Sequence, residues 1–299
     1  MSPVHDDPRY AELLEREARH WGGVAADPDN PQLWDDPVLW EAALGAAWRR
    51  LIDRAIASGG PVLELGCGEG GIALELAGRG VEVLGLDLSP ERIARAREAA
   101  ARAGLAARAR FEIADLNTAP MPAGPWRCVV AHDALHHVLA LEALLDRVRD
   151  ALPAGGLLVV SDYRGAGALE KLATAAAIGV LPTRLSYARK WAMRKRLAPA
   201  LASERAKRDA LDRGEGAVLH DASPFEGISQ ASIFTAIAAR FDVVESFTFC
   251  PYWYQAVPKL RVPRNVQRAA IRIAARLDTT LHRHGWTKGS YQFIAALRR

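Results

Sequence analysis

The sequence predicts an α/β fold: a doubly wound, mostly parallel sheet, preceded by a helical cap and interrupted by a helical insertion. Three observations predict it. From residue 61 onward, short apolar runs alternate with stretches of helical pattern. The runs are nearly continuous in Val, Leu and Ile, as strands covered on both faces are. A glycine-rich turn, "LGCGEGG", closes the first run and opens the next helix.

The elements follow in order. Tyr10 to His20 is patterned as a charged amphipathic helix, and "ADPDNPQLWDDP" has turn chemistry. "PVLWEAALGAAWRRLIDRAI" reads as a second helix with Pro37 at its start. Residues 1–50 are therefore expected to form a helical cap. The core, expected over 51–162 and 226–299, begins with strand "VLELG" and helix "IALELAGRG". Strand "VEVLGLDL" precedes helix "SPERIARAREAAARAG", where Ser89 suits the N-cap and Pro90 the first turn. Strands "ARFEIADL" and "WRCVVAHDA", helix "LEALLDRVRDAL" and strand "GGLLVVSDY" continue the rhythm. Residues 163–225 break it. That segment is helical in pattern, with twelve Lys and Arg against four acids between Tyr163 and Arg213, so it reads as a basic insertion. Helix "SQASIFTAIAARF", strand "DVVESFTFC", a long amphipathic stretch and strand "SYQFIAAL" complete the core.

Composition narrows the class. Half of the 299 residues are hydrophobic and a quarter charged, which fits a globular protein of one large domain with additions. The three cysteines, Cys67, Cys128 and Cys250, show no metal or redox spacing and read as free thiols of a reducing compartment. No basic-then-apolar leader opens the sequence, and the longest apolar run falls short of the ~20 residues that span a membrane. A cytoplasmic protein is expected.

Ligands of open parallel sheets sit beyond the carboxyl ends of the strands. The glycine turn, Asp87, Asp115 and "AHDALHH" all follow predicted strands, so they should line one crevice. Gly66 and Gly68 let the backbone approach a ligand closely, and Asp87 suits two ribose hydroxyls. Those features serve NAD and S-adenosylmethionine alike. Glu64 separates the two, because it would repel a pyrophosphate but could help to hold an ammonium group. Asp115 could accept from an adenine amino group, with Leu88 and Leu116 on the ring faces.

At these residues the chain resembles the class I S-adenosylmethionine-dependent methyltransferases. "VLELGCGEGG" resembles their first motif, "VLGLDLSPERIARARE" their second strand and helix, and "FEIADL", "VVAHDALHHV" and "LLVVSDY" the next three strands. The resemblance covers residues 50–162, and 226–299 more loosely. It implies a seven-stranded Rossmann-like sheet whose last strand is antiparallel, a place that "SYQFIAAL" could fill. It implies S-adenosyl-L-methionine as cofactor, with Glu64, Gly66 and Gly68 near its methionine part and the Cys67 backbone in the same loop. Asp87 goes to the ribose, Leu88, Asp115 and Leu116 to the adenine, and His132 to the border of sulfonium and substrate.

Methyl transfer asks mainly for an acceptor held in line with the sulfonium. A hydroxyl or ammonium acceptor also needs a base, and His136 and His137 are the candidates. As neighbours they point apart, so one at most should face substrate; the alternative is a polar turn they stabilise. No metal is expected, since His132, Asp133 and His136 form no fuller ligand cluster. The amphipathic "LSYARKWAMRKRLAPAL", with Leu185, Trp191 and Leu197 among its charges, is read as a solvated lid. Contact with an anionic or lipid-linked acceptor, a peripheral membrane surface or nucleic acid is the alternative. Tyr252 or Tyr254 of "FTFCPYWYQ" could line a substrate pocket, or serve as packing. Trp21 and Trp34 could close over the cofactor, or anchor the cap. The expected function is methyl transfer to a small or medium-sized acceptor by O- or N-methylation. The alternatives are cofactor cyclisation or aminocarboxypropyl transfer, an NAD-linked oxidoreductase, or a non-enzymatic member that binds through the insertion.

Overall fold

The computed structural model describes residues 8–23, 31–32, 35–193, 202–212, 223–250, 252–283 and 289–299. Its centre is a seven-stranded sheet in the order β3-β2-β1-β4-β5-β7-β6. The strands are β1 (Val62–Leu65), β2 (Val83–Asp87), β3 (Ala109–Ile113), β4 (Cys128–His132), β5 (Leu157–Tyr163), β6 (Phe241–Phe249) and β7 (Tyr291–Arg298). β1 to β5 pair in parallel. β7 runs antiparallel to both β5 and β6. The order reverses at β1, between β2 and β4, which opens a crevice at its carboxyl end.

The continuous apolar strands have a direct cause. Successive side chains of a strand point to opposite faces. Leu63, Leu65, Val129 and Ala131 enter one core, with α6 (Leu141–Ala151) and α10 (Ile233–Ala238). Val62, Cys128 and Val130 enter the other, with α3 (Ala46–Ala57), α4 (Gly71–Gly78) and α5 (Pro90–Arg102). Each such residue buried from water contributes ~1.5–3 kcal/mol, so both faces demand apolar side chains. At the edge strand β3 only Ala109 and Phe111 are buried, while Arg110 and Glu112 face outward.

The cap holds α1 (Pro8–Gly22) and a longer helix that starts at α2 (Pro37–Trp40). Pro37 occupies the first turn, and Asp36 caps it by accepting from the Val38 and Leu39 amides. The longer helix does not run on regularly into α3. A π turn, Glu41–Gly45, lies between them. In a regular helix, residues four apart drift by ~40°; the wider turn offsets that drift and keeps Trp40, Leu44 and Trp48 on one side, facing the crevice. Leu39, Ala43 and Leu44 pack on Tyr254, Val257 and Ile271, the last from α11 (Arg264–Arg283). Arg268 of α11 also pairs with Asp36.

The insertion contains α7 (Ala168–Val180), α8 (Tyr187–Met193) and α9 (Glu204–Asp212). Leu185 is buried, but Leu169, Val180, Tyr187 and Trp191 are exposed, so α7 and α8 present apolar as well as basic surface. Leu197 and Lys195 lie outside the described residues, as do Arg194 and Arg196. No described helix is long and apolar enough to cross a membrane.

Candidate active site

A cavity of about 360 Å³ opens at the reversal point. The sheet supplies Glu64, Asp87 and His132, and the loops beyond it supply Gly66, Cys67, Gly68, Leu88, Asp115, Leu116 and His137. The cap supplies Leu14, Glu17, Trp21, Trp40 and Trp48. All nine predicted cofactor residues thus line one cavity, and of the two predicted catalytic histidines His137 does and His136 does not.

The glycine turn is shaped by its backbone. Gly66 and Gly68 have φ of +70° and +53°, a region costly for side chains. A Cβ on Gly66 would collide with the Ala134 methyl. The next such residue is Gly70, which caps α4; Gly71 is already helical. Cys67 is buried, and burial pushes its thiol upward, so it stays protonated as a small loop residue.

Asp87 holds the loop together. Its Oδ2 accepts from the Gly68 amide at 2.8 Å and its Oδ1 from the Ser89 amide at 2.9 Å. Each oxygen keeps acceptor capacity for a ligand hydroxyl. Asp115 is more fully engaged. Tyr10 and Thr118 donate to its Oδ2, at 2.7 and 2.8 Å, and Asn117 donates twice to its Oδ1. An adenine amino group at Asp115 therefore competes with the Tyr10 hydroxyl.

Glu64 has the most demanding setting. It is 3% exposed, and its Oε2 has no hydrogen-bond partner among the described residues. Burial, with the charge of Asp87 and only partly offset by the Ala73 amide, pushes its carboxyl up to about 8. A buried polar atom without a partner costs ~1–3 kcal/mol, which a cationic ligand group would recover.

The turn after β4 separates the two histidines. Asp162, at the end of β5 and 0% exposed, accepts from the Ala134 and Leu135 amides and from His136 Nδ1 at 2.6 Å. Burial alone would lower the His136 pKa, but Asp162, with Glu226 and Asp133, pushes it up to about 10. His136 is therefore a buried, charged anchor and not a base facing the cavity, which corrects half of the predicted pair. His137 Nδ1 lies 3.0 Å from Glu17 Oε1 of α1. Glu17 also accepts from Trp21 Nε1 and Ser223 Oγ, at 2.7 and 2.8 Å. Burial would raise the Glu17 pKa, but His137, Trp21 and Ser223 outweigh it and hold the carboxyl low.

The comparisons with known proteins bear on this cavity. Residues 62–156 match the family described as "Methyltransferase domain". Over 136 residues the chain is 32% identical to 27-O-demethylrifamycin SV methyltransferase of Amycolatopsis mediterranei (strain S699), covering 44% of this chain and 49% of that protein. Over 106 residues it is 35% identical to phosphoethanolamine N-methyltransferase 1 of Arabidopsis thaliana, covering 35% and 21%. Residues 62–156 thus match the methyltransferase-domain family, on the fold of the class I S-adenosylmethionine-dependent methyltransferases.

The matches to these curated methyltransferases span half of their length or less. Two solved structures share the fold. One is the geranyl diphosphate C-methyltransferase from Streptomyces coelicolor A3(2), in complex with Mg2+, geranyl diphosphate and S-adenosyl-L-homocysteine. Its TM-score is 0.56 at 16% identity, with 100% of both chains covered. The other is the [4+2]-cyclase SpnF, with a TM-score of 0.52 at 17% identity, covering 97% of this chain and 94% of that one. S-adenosylmethionine is the cofactor of this methyltransferase family. The residues present fit it: Glu64 offers a cation a buried oxygen that has no partner among the described residues, and the Gly66–Gly68 turn lines the same cavity.

Other expectations resolve differently. Of the insertion's described residues, Phe225 lines the cavity. Tyr254 is buried in the cap core, away from the cavity; the side chain of Tyr252 and all of Trp34 lie outside the described residues. Trp21 does reach the cavity, and Arg92 of α5 lies over its ring. Sequence reasoning missed Tyr10, Glu17, Trp40, Trp48 and Asp162. The spacing of Trp40 and Trp48 was a usable signal; nothing local marked the others.

Proposed function

We propose that this chain transfers a methyl group from S-adenosylmethionine to an oxygen or nitrogen of a small or medium-sized acceptor. The observation that carries the reading is Glu64, a buried carboxyl whose Oε2 has no partner among the described residues, in the cavity that also holds Asp87. A cation-bearing nucleoside suits both. The sulfonium supplies an already activated methyl group. The protein's part is to hold the acceptor in line and exclude water, which supports most of the rate. The aromatic walls from Trp21, Trp40 and Trp48 support a small acceptor over a macromolecule. His137 is the histidine that can serve it. With Nδ1 directed to Glu17, its Nε2 is the atom left to take the acceptor's proton.

Calorimetry with S-adenosylhomocysteine tests the site. Saturable binding is expected, with Asp87→Ala at least tenfold weaker; no binding, or equal affinity, refutes it. The fold shared with SpnF supports one rival, non-methylating chemistry on the same cofactor site. Product analysis separates them: methyl transfer yields S-adenosylhomocysteine, cyclisation or transfer of the cofactor's aminocarboxypropyl arm yields methylthioadenosine, and a [4+2] cyclisation of the substrate leaves S-adenosylmethionine unconsumed.

A further inference from the structure

We propose that His136, His137 and Glu226 bind one divalent first-row transition-metal ion beside the cavity. Their ligand atoms lie within 4.8 Å of one another. Glu226 Oε1 is 3.8 Å from His136 Nε2, and its Oε2 is 3.6 Å from His137 Nε2. Two ligands each ~2.1 Å from a tetrahedral ion are ~3.4 Å apart, so the two gaps to Glu226 need close by only a few tenths of an ångström, and the two imidazole nitrogens start within 4.8 Å of each other. The two imidazoles lie side by side, tilted by 44° with centroids 4.1 Å apart, and each has its Nε2 within 3.8 Å of one carboxylate.

The surroundings match what a metal-binding histidine requires. A ligating imidazole usually gives its other N–H to a carboxylate, which sets the tautomer and ring angle. Here Asp162 takes His136 Nδ1 at 2.6 Å and Glu17 takes His137 Nδ1 at 3.0 Å. Both carboxylates are themselves fixed, Asp162 by two backbone amides and Glu17 by Trp21, Ser223 and the Phe225 amide. That leaves each Nε2 directed at Glu226, and an ion bound there takes the place of the proton that His136 otherwise carries on Nε2. Three carboxylates converge on two imidazoles, and Lys171 also feels the charge of Glu226. A divalent ion would balance that excess of negative charge.

Two imidazoles and one carboxylate suit Zn2+, Fe2+, Mn2+ or Co2+ better than Mg2+ or Ca2+, which prefer oxygen. Three protein ligands leave a position for water or an acceptor oxygen. Because His137 lines the cavity, that position lies next to the acceptor. Coordination would occupy the Nε2 that otherwise takes a proton, so metal and base roles exclude each other at His137. The other nearby group, Asp133, His136 and Asp162, offers one imidazole through an Nδ1 already bonded to Asp162, and makes the poorer site. The site stands on this geometry and does not depend on the methyl-transfer reading.

The test uses the full chain, stripped with a chelator and free of cofactor. It is titrated with Zn2+ by calorimetry and with Co2+ by visible absorption, and folding is checked by circular dichroism. Wild type should take up one equivalent of each ion, with a tetrahedral or five-coordinate Co2+ spectrum. Glu226→Gln, at a half-exposed position, should weaken Zn2+ binding at least tenfold; His137→Gln is the second ligand deletion should the first not fold. Glu17→Gln should weaken it by ~10–100-fold. Asp133→Asn should bind as wild type does. Absence of stoichiometric Zn2+ uptake by folded wild type overturns the site, as does Zn2+ affinity unchanged in Glu226→Gln. A loss in Asp133→Asn equal to that in Glu226→Gln overturns this choice of ligands.

Discussion

Replacing Glu64 by glutamine keeps its shape and removes its ability to ionise. The carboxyl is 3% exposed and stays protonated to about pH 8, against 4.5 for an ordinary glutamate. The folded protein thus holds this proton over a range where the unfolded chain has released it. Stability must fall as pH rises from about 4.5 to 8, and the full cost is present above 8. At 1.36 kcal/mol per pH unit, the wild type loses ~3–4 kcal/mol from this group between pH 5 and 8. Glutamine does not titrate. The stability difference should therefore move in favour of Glu64→Gln by about that amount across the same range, whatever constant penalty the new amide brings. Urea unfolding of both proteins without cofactor, at half-unit pH steps, measures it. Calorimetry at pH 8 should show S-adenosylmethionine binding weakened by ~10–100-fold in the variant, a loss of ~1.4–2.8 kcal/mol. Parallel stability profiles would refute the buried-carboxylate argument. Undiminished cofactor affinity would refute its role at the cation.

Two further variants probe the frame around it. Gly66→Ala forces a side chain onto φ +70° and against Ala134, so it should cost ~1–3 kcal/mol in urea unfolding and remove S-adenosylhomocysteine binding; wild-type affinity would show that the turn is not the cradle. Asp162→Asn keeps one acceptor oxygen where two are used, so it cannot serve both the two amides and His136, and it removes the charge paired with His136; the stripped protein should lose ~3–5 kcal/mol, and a loss under 1 kcal/mol would mean that the β4 turn does not depend on it.

Much of the fold was legible because it rests on local pattern. β1, β2 and β4 read as continuous apolar runs since alternate residues enter two separate cores. Ser89, Pro90 and Pro37 marked helix starts through their own backbone chemistry. Gly66, Gly68 and Asp87 were legible for the same reason: each stands at a strand end, where the parallel topology needs only strand order to bring them together. The π turn at Glu41–Gly45 was not, because its cause is the packing of Trp40, Leu44 and Trp48 toward the cavity.

The pairing of charges was beyond reach. His136 with Asp162, His137 with Glu17 and both with Glu226 join residues 26 to 120 positions apart. Adjacent histidines point apart in a strand, whereas in the 3-10 turn Leu135–His137 their rings lie together. By itself, then, the sequence determined the sheet, the glycine turn and the class of ligand beyond it, since periodicity and backbone chemistry act within a few residues. Only the tertiary structure decided which histidine meets the cavity and which carboxylates hold it. Those choices follow from desolvation and charge, which exist only once α1, β5 and the segment from Ser223 have closed on the β4 turn.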